Sequence, residues 1–175
     1  ADQVTARALL AAYAKMGVMA MALGAYDLRY GADWVIREAA RAKVAALSCN
    51  LRQGSGWARG SLLVGDGGNR IGIVGVTLST PETASNLRAA GVDDEAAAGC
   101  YRQEASRLVA SGARGIVLLA PGGIAAAQHF VEVLASTEAT LPSIVLTSGS
   151  LQLTGRSEEH TSELQSRVDI SYAVF

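Results

Sequence analysis

Apolar residues follow two different spacings along residues 1–155 of this chain. Spacings of three and four residues are typical of helices with one buried face, whereas short continuous apolar runs are typical of strands buried on both faces. Because the two patterns alternate along the chain, the predicted class is α/β with a parallel sheet covered on both faces. The predicted helices cover residues 4–16, 33–43, 94–111 and 122–135. The predicted strands cover residues 18–23, 44–47, 61–64, 70–77, 115–119 and 143–147.

Two segments connect these elements in distinct ways. Residues 61–64 and 70–77 are predicted to pair as a hairpin, because the intervening Asp and Gly residues suit a tight turn. Residues 78–93 are polar and contain a proline and a glycine, so they are predicted to be irregular.

The composition is that of one globular domain. The chain has 175 residues, half of them hydrophobic, and its 15 basic and 16 acidic residues give a net charge of −1. This hydrophobic content excludes a disordered chain, and the balanced charge gives no basic surface for a nucleic-acid polymer. Residues 8–25 are nearly all apolar, but Lys15 and Gly17 interrupt them, so a helix and a strand are predicted rather than a membrane span. Cys49 and Cys100 are too few for a disulfide framework or a thiolate metal cluster, and we predict small buried side chains.

The end of the chain differs in character from the rest. Residues 156–166 (RSEEHTSELQS) and 170–175 (ISYAVF) match, in one reading frame, the translation of the constant blocks of a common short-read sequencing adapter. A charged helix followed by a strand is the alternative that periodicity allows. We therefore predict a non-native tail at residues 156–175. Since no methionine opens the chain, we expect residues 1–155 to be a fragment of one domain.

Three loops that follow predicted strands carry the candidate site residues. Asp27 lies where open α/β sheets place ligands, and it is the candidate metal ligand; the alternative is a carboxylate that caps a turn or pairs with Arg29. Asn50 either contacts a ligand or holds the next loop through side-chain–backbone hydrogen bonds. Gly122 and Gly123 precede a helix, so their backbone N–H groups either bind an anion such as phosphate or belong to an ordinary tight turn.

No side chain is predicted to be catalytic. Without the tail, His129 is the single histidine, and it lies in the middle of a predicted helix with no partner nearby. A serine nucleophile at Ser148 or Ser150 would need a histidine base, and neither cysteine has a histidine close in sequence. These residues are predicted to be structural or exposed.

Several segments, taken in order, resemble the metallophosphoesterase family that includes the 5′-nucleotidases. Residues 47–51 (LSCNL) are similar to that family's LSANL, and residues 70–77 (RIGIVGVT) to its hairpin strand KIGIIGLT. Four further segments follow the family's order, which is more specific than any one piece: residues 16–24 (MGVMAMALG), 30–34 (YGADW), 115–123 and 144–150. The chain thus resembles a divergent, truncated calcineurin-like metallophosphoesterase.

The resemblance implies a fold and a reaction. The fold would be part of a four-layer α/β/β/α sandwich. The family reaction is hydrolysis of phosphate monoesters such as nucleotides, assisted by a pair of divalent metal ions (Mn, Zn or Fe) held by Asp, His and Asn. A phosphorylated small molecule would be the partner. The sequence does not fix the compartment, although members of the family are commonly exported.

The resemblance breaks at the metal-ligand positions. Where the family has Asn-His-Glu, this chain has residues 25–27 (AYD), so only the Asp27 carboxylate remains. The later histidines are replaced by Ala120 or Pro121 and by residues 148–150 (SGS). The first two metal motifs of the family would precede the first residue. We therefore expect this chain not to bind the metal pair and to be inactive by itself.

Two other hypotheses stay open. The chain could belong to a non-catalytic envelope or binding domain that keeps the fold without the metal centre. An unrelated doubly wound nucleotide-binding domain is disfavoured, because the glycine fingerprint is missing after the first strand.

Overall fold

The chain folds into four layers in the order helix, sheet, sheet, helix. The computed structural model describes residues 2–137 and 139–148. The helices are α1 (Asp2–Lys15), α2 (Ala25–Leu28), α3 (Ala32–Arg41), α4 (Ala84–Ala89), α5 (Ala97–Ala110) and α6 (Ile124–Ala135). The strands are β1 (Ala20–Ala22), β2 (Ala45–Leu47), β3 (Arg52–Gln53), β4 (Gly56–Trp57), β5 (Ser61–Val64), β6 (Ile71–Gly75), β7 (Ile116–Leu119) and β8 (Ile144–Leu146).

Two separate sheets form the central layers. In the first sheet, β1 and β2 are parallel, with Met21 opposite Ala46. The second sheet has the order β5-β6-β7-β8, in which β5 and β6 form an antiparallel hairpin and the other neighbours are parallel. A small antiparallel hairpin, β3–β4, lies outside both sheets.

Alternating side chains on each strand build the cores between the layers. Ala20, Leu47, Ile73 and Leu119 are buried between the two sheets. Their neighbours along the strands point outwards: those of the first sheet pack with α1, α3 and α4, and those of the second sheet pack with α5 and α6. Each sheet is therefore covered by helices on one face and by the other sheet on its second face, which explains the continuous apolar runs.

Close approach of the two sheets requires a glycine at the end of β6. A Cβ atom placed on Gly75 would lie 2.5 Å from the Leu47 Cβ and 2.7 Å from the Leu47 carbonyl oxygen. The Cys49 N–H donates to the Gly75 carbonyl oxygen at 2.9 Å, so the chain after β2 continues beside β6. This contact joins the carboxyl ends of the strands of both sheets.

The predicted α/β class is confirmed, and so are the positions of the main helices and strands. The prediction of one parallel sheet covered on both faces is wrong in the number of sheets, because the strands divide into two sheets that pack on each other. The irregular structure predicted for residues 78–93 is also corrected, since that segment contains α4. Within the described residues, no helix is long and apolar enough to cross a membrane. The predicted tail at residues 156–175 lies outside the described residues.

Candidate functional site

The loops after five strands meet at one edge of the sandwich. The Thr77 hydroxyl, after β6, donates to the Leu23 carbonyl oxygen, after β1, at 2.7 Å. The Leu78 N–H donates to the Pro121 carbonyl oxygen, after β7, at 3.2 Å. The loop after β7 in turn bonds the chain after β8. We call this edge the strand-end site; it comprises residues 24–27, 48–50, 77, 121–123 and 147–148.

A buried polar network forms the centre of the strand-end site. Ser48, Asn50 and Thr77 are each fully buried. The Asn50 Oδ1 accepts from the Thr77 N–H at 2.9 Å, and the Asn50 Nδ2 donates to the Thr77 carbonyl oxygen at 2.9 Å. The Ser48 and Thr77 hydroxyls are 2.7 Å apart. The Asn50 amide thus pairs with the Thr77 backbone in the manner of a neighbouring strand and closes the gap between the two sheets.

Asn50, one of the predicted ligand-binding residues, has both ends of its amide engaged. Its Nδ2 also donates to the Asp93 carbonyl oxygen at 3.3 Å, and its Oδ1 lies 3.4 Å from the Ser48 hydroxyl. These hydrogen bonds match the alternative role considered for Asn50 in the sequence analysis, in which its side chain holds the next loop through the backbone. A ligand contact through this amide would have to replace bonds within the core, and ligand binding by Asn50 stays a prediction.

Asp27, the predicted metal ligand, lies on the short helix α2 at the mouth of the strand-end site. Its Oδ2 accepts from the Gly24 N–H at 2.9 Å, which is the turn-capping role considered for it in the sequence. Burial raises the pKa of the Asp27 carboxyl above its ordinary value, because loss of water opposes the charge more than the Gly24 N–H and the Arg29 guanidinium favour it. The Asp27 side chain is half-buried, and this burial opposes ionisation of its carboxyl in the folded chain.

Replacing Asp27 with Asn should make stability depend less on pH. Because the pKa is raised in the folded chain, protonation of Asp27 stabilises the fold below about pH 3.8, and that stability is lost as the pH rises through the folded pKa. Asn keeps an oxygen that accepts from the Gly24 N–H but cannot ionise. We expect Asp27→Asn to match the wild type near pH 3.8 and to exceed it in melting temperature at neutral pH.

Thermal melts at both pH values measure this difference. The matched control is Asp66→Asn, since Asp66 is an exposed loop aspartate. A difference in melting temperature between Asp27→Asn and the wild type that stays constant with pH would contradict the account.

The turn at Gly122 and Gly123 differs from the expected anion cradle. Both N–H groups donate to the Ser148 carbonyl oxygen, at 3.0 and 2.9 Å. Binding an anion through these N–H groups would require these hydrogen bonds to be replaced. The backbone requires glycine here: φ is +147° at Gly122 and +89° at Gly123, and a Cβ on Gly122 would lie 2.9 Å from the Leu78 Cβ. The geometry is that of the tight turn considered as the alternative, and anion binding by these glycines stays a prediction.

The two cysteines form a disulfide, which corrects the prediction of small unpaired side chains. Cys49 follows β2, Cys100 lies on α5, and 51 positions separate them. The bond ties the loop that carries Asn50 to the outer helix layer. Their distance in sequence gave no signal for the pairing, because the fold alone brings the two residues to a Cα separation of 5.8 Å.

The other residues considered in the sequence analysis lie outside the buried polar network of Ser48, Asn50 and Thr77. His129 is exposed on α6, with its Nδ1 3.9 Å from Glu132 Oε2. Ser148 contributes its carbonyl oxygen to the glycine turn, and Ser150 lies outside the described residues. Ser48 and Thr77 were missed by sequence reasoning, although a polar residue that ends an apolar strand is the signal that identified Asn50.

The strand-end site does not fit a pair of divalent metal ions. Among the described residues, no group of three or more His, Cys, Asp or Glu side chains is placed to hold a metal ion. Asp27 brings one carboxylate, and its Oδ2 already accepts a hydrogen bond. Ala25, Ala120 and Pro121 have no side-chain donor atoms for a metal.

Comparison with known proteins finds this fold in several solved structures. No family model matches the chain, and no curated protein matches it. The calcineurin-like phosphoesterase YfkN from Bacillus subtilis is 17% identical over 79% of this chain and 46% of its own, with a TM-score of 0.62. The sulfate thiohydrolase SoxB from Thermus thermophilus is 17% identical over 81% of this chain and 26% of its own, with a TM-score of 0.58.

A nucleotidase has the same fold. The NAD nucleotidase NadN from Haemophilus influenzae is 17% identical over 75% of this chain and 23% of its own, with a TM-score of 0.53. This chain therefore has the α/β/β/α fold of the calcineurin-like phosphoesterases, as the resemblance of its sequence to that family implied. It spans less than half the length of each of these structures.

Proposed function

We propose that this chain is a fragment of a 5′-nucleotidase-like metallophosphoesterase domain. The observation that carries the proposal is the meeting of five strand ends at one edge of an α/β/β/α sandwich, since ligands of open α/β sheets bind at the carboxyl ends of strands. The longer protein would hydrolyse phosphate monoesters such as nucleotides. The names of NadN, a NAD nucleotidase, and YfkN, a calcineurin-like phosphoesterase, support this class of substrate.

Within this proposal, the 175-residue chain is inactive by itself. Catalysis by a metal pair needs several ligands that converge on one position, so that the ions can clamp the attacking and leaving oxygens. Of the sequence-predicted ligand positions in the strand-end site, only Asp27 carries a carboxylate. The remaining ligands would have to come from other parts of the longer protein.

A non-catalytic binding or envelope domain is the second candidate function. One observation favours it: the polar side chains at the centre of the strand-end site bond to one another and to the backbone. Ser48, Asn50 and Thr77 are fully buried, so the network stabilises the junction of the sheets rather than presenting ligands. In that case the domain would keep the fold and bind a phosphorylated small molecule without hydrolysing it.

Metal binding and turnover test the proposal directly. We expect the 175-residue chain to bind no pair of Mn²⁺ or Zn²⁺ ions in calorimetry and not to cleave p-nitrophenyl phosphate. Metal-dependent turnover that disappears in Asp27→Ala would overturn the expected inactivity. Resequencing the source DNA across both ends of the reading frame then separates the two functions. Asp-x-His and Gly-Asp-x-x-Asp motifs upstream would support the enzyme, and flanks without them would support the binding domain.

We also propose that the protein folds in an oxidising compartment. The Cys49–Cys100 disulfide supports this, because such bonds persist outside the reducing cytosol. Export would agree with the resemblance to the metallophosphoesterase family, whose members are commonly exported. Alkylation of the cysteines at cell lysis, described in the Discussion, tests this proposal too.

A further inference from the structure

An open groove lies between the β3–β4 hairpin and helix α5. Its volume is about 660 Å³, and its walls are residues 57–63 together with Glu104 and Arg107. Sites for small molecules commonly enclose 300–1,000 Å³. None of these wall residues belongs to the strand-end site, so the groove is a separate feature of the molecule.

A buried hydroxyl fixes one wall of the groove. Ser61 is 5% exposed, and its Oγ donates to Glu104 Oε2 at 2.5 Å. The Arg107 Nη2 donates to both the Ser61 Oγ and Glu104 Oε2, each at 2.5 Å. Because these contacts hold the Glu104 and Arg107 side chains in place, the wall is organised before any ligand arrives. The Glu104 charge is balanced by Arg107.

Arg59 adds a second positive charge to the groove, and no carboxylate among the described residues pairs with it as Glu104 pairs with Arg107. Its Nε donates to the Ser61 carbonyl oxygen at 3.1 Å, which fixes the guanidinium along the edge of β5. Within residues 2–137 and 139–148, Arg59 forms no ion pair with a carboxylate. A guanidinium presents a planar fork of N–H donors that suits carboxylate and phosphate groups. The groove therefore carries more positive than negative charge.

Trp57 adds an exposed aromatic ring to a groove whose lining is otherwise mostly polar. Trp57 is 46% exposed, and the Arg52 guanidinium lies 4.5 Å from its ring centre. Leu62 and Leu63 line the groove and are partly buried. The edge of β5 is poorly suited to an added peptide strand, because Arg59 already covers the outward carbonyl oxygen of Ser61. The exposed Trp57 ring favours a small ligand with one apolar part rather than a peptide strand.

We propose that this groove binds a small organic anion. Its carboxylate or phosphate lies against Arg59 and Arg107, and its apolar part lies against Trp57. The site involves no residue of the strand-end site, so it stands independently of the proposed phosphoesterase function.

Titration of the 175-residue chain with adenosine monophosphate and with benzoate tests the proposal, with neutral adenosine as the uncharged comparison. The readout is the indole N–H signal of Trp57 in NMR spectra, and Trp34, on α3, serves as the internal reference. We expect either anion to shift the Trp57 signal and not that of Trp34, and adenosine to leave both in place. In Arg59→Gln, the dissociation constant should rise about tenfold or more.

Arg114→Gln is the matched control, because the Arg114 guanidinium also donates to a backbone carbonyl oxygen, that of Gly68, at 3.0 Å. The affinity of the Arg114→Gln variant for either anion should stay within about twofold of the wild-type affinity. Circular dichroism checks that both variants are folded. If Arg59→Gln does not fold, Arg59→Lys replaces it in the titration. Lysine keeps the positive charge without the planar guanidinium, so this variant should also bind the anions more weakly than the wild type. The proposal is overturned if neither anion shifts Trp57 up to about 10 mM, or if the Arg59 and Arg114 variants bind equally.

Discussion

Removing the Cys49–Cys100 disulfide is expected to lower the free energy of unfolding by about 4 kcal/mol. The bond closes a loop across 51 positions, and such a crosslink stabilises the fold mainly by restricting the unfolded chain. Cys49 also lies in the core beside Gly60, where an added Cβ atom would lie 2.6 Å from the Cys49 Cβ, so the two segments are packed tightly around the bond. The double variant Cys49→Ala, Cys100→Ala should unfold at a markedly lower urea concentration than the wild type.

Reductant provides the matched control for this prediction. Dithiothreitol should lower the urea midpoint of the wild type towards that of the double variant and should leave the double variant unchanged. Iodoacetamide added at cell lysis should modify the cysteines only after reduction, as expected of a protein that folds in an oxidising compartment. Alkylation of both cysteines without reductant, or a wild-type midpoint that is insensitive to dithiothreitol, would show that the bond does not form.

The sequence predicts the elements of this fold better than their assembly. Runs such as residues 115–119 are recognisable because both faces of the strand are buried. The same run is compatible with helices on both faces or with a helix on one face and a second sheet on the other. Periodicity therefore could not distinguish one sheet from two, and the resemblance to metallophosphoesterases supplied the α/β/β/α arrangement.

The sequence also indicates single residues of the candidate site better than it indicates their partners. The sequence singles out Asp27 and Asn50 as candidates because polar residues that follow apolar strands stand out in sequence. Their partners come from distant strands: Thr77 pairs with Asn50 across 27 positions. The Ser148 carbonyl oxygen, which takes the N–H groups of the glycine turn, follows the last strand. Such pairings depend on which strand ends become neighbours, and local pattern does not carry that information.

Asn50→Ala is expected to lower the free energy of unfolding by about 3 kcal/mol. The substitution removes both hydrogen bonds to the Thr77 backbone and leaves a buried N–H and a buried carbonyl oxygen without partners. Water cannot easily replace the amide, because the network is fully buried. Urea unfolding measures the loss. Thr77→Val should cost less, about 1–2 kcal/mol, since it removes only the hydroxyl that bonds Ser48 and the Leu23 carbonyl oxygen.

The double variant shows whether these residues act as one unit. Residues that share a hydrogen-bond network have non-additive effects, so the cost of Asn50→Ala with Thr77→Val should differ from the sum of the single costs by about 0.5 kcal/mol or more. A residue kept only to bind a ligand would behave differently: Asn50→Ala would then leave stability within about 0.5 kcal/mol of the wild type. That outcome would support a ligand contact as the role of Asn50. A large loss of stability would instead show that the Asn50 amide holds the two sheets together at the strand-end site.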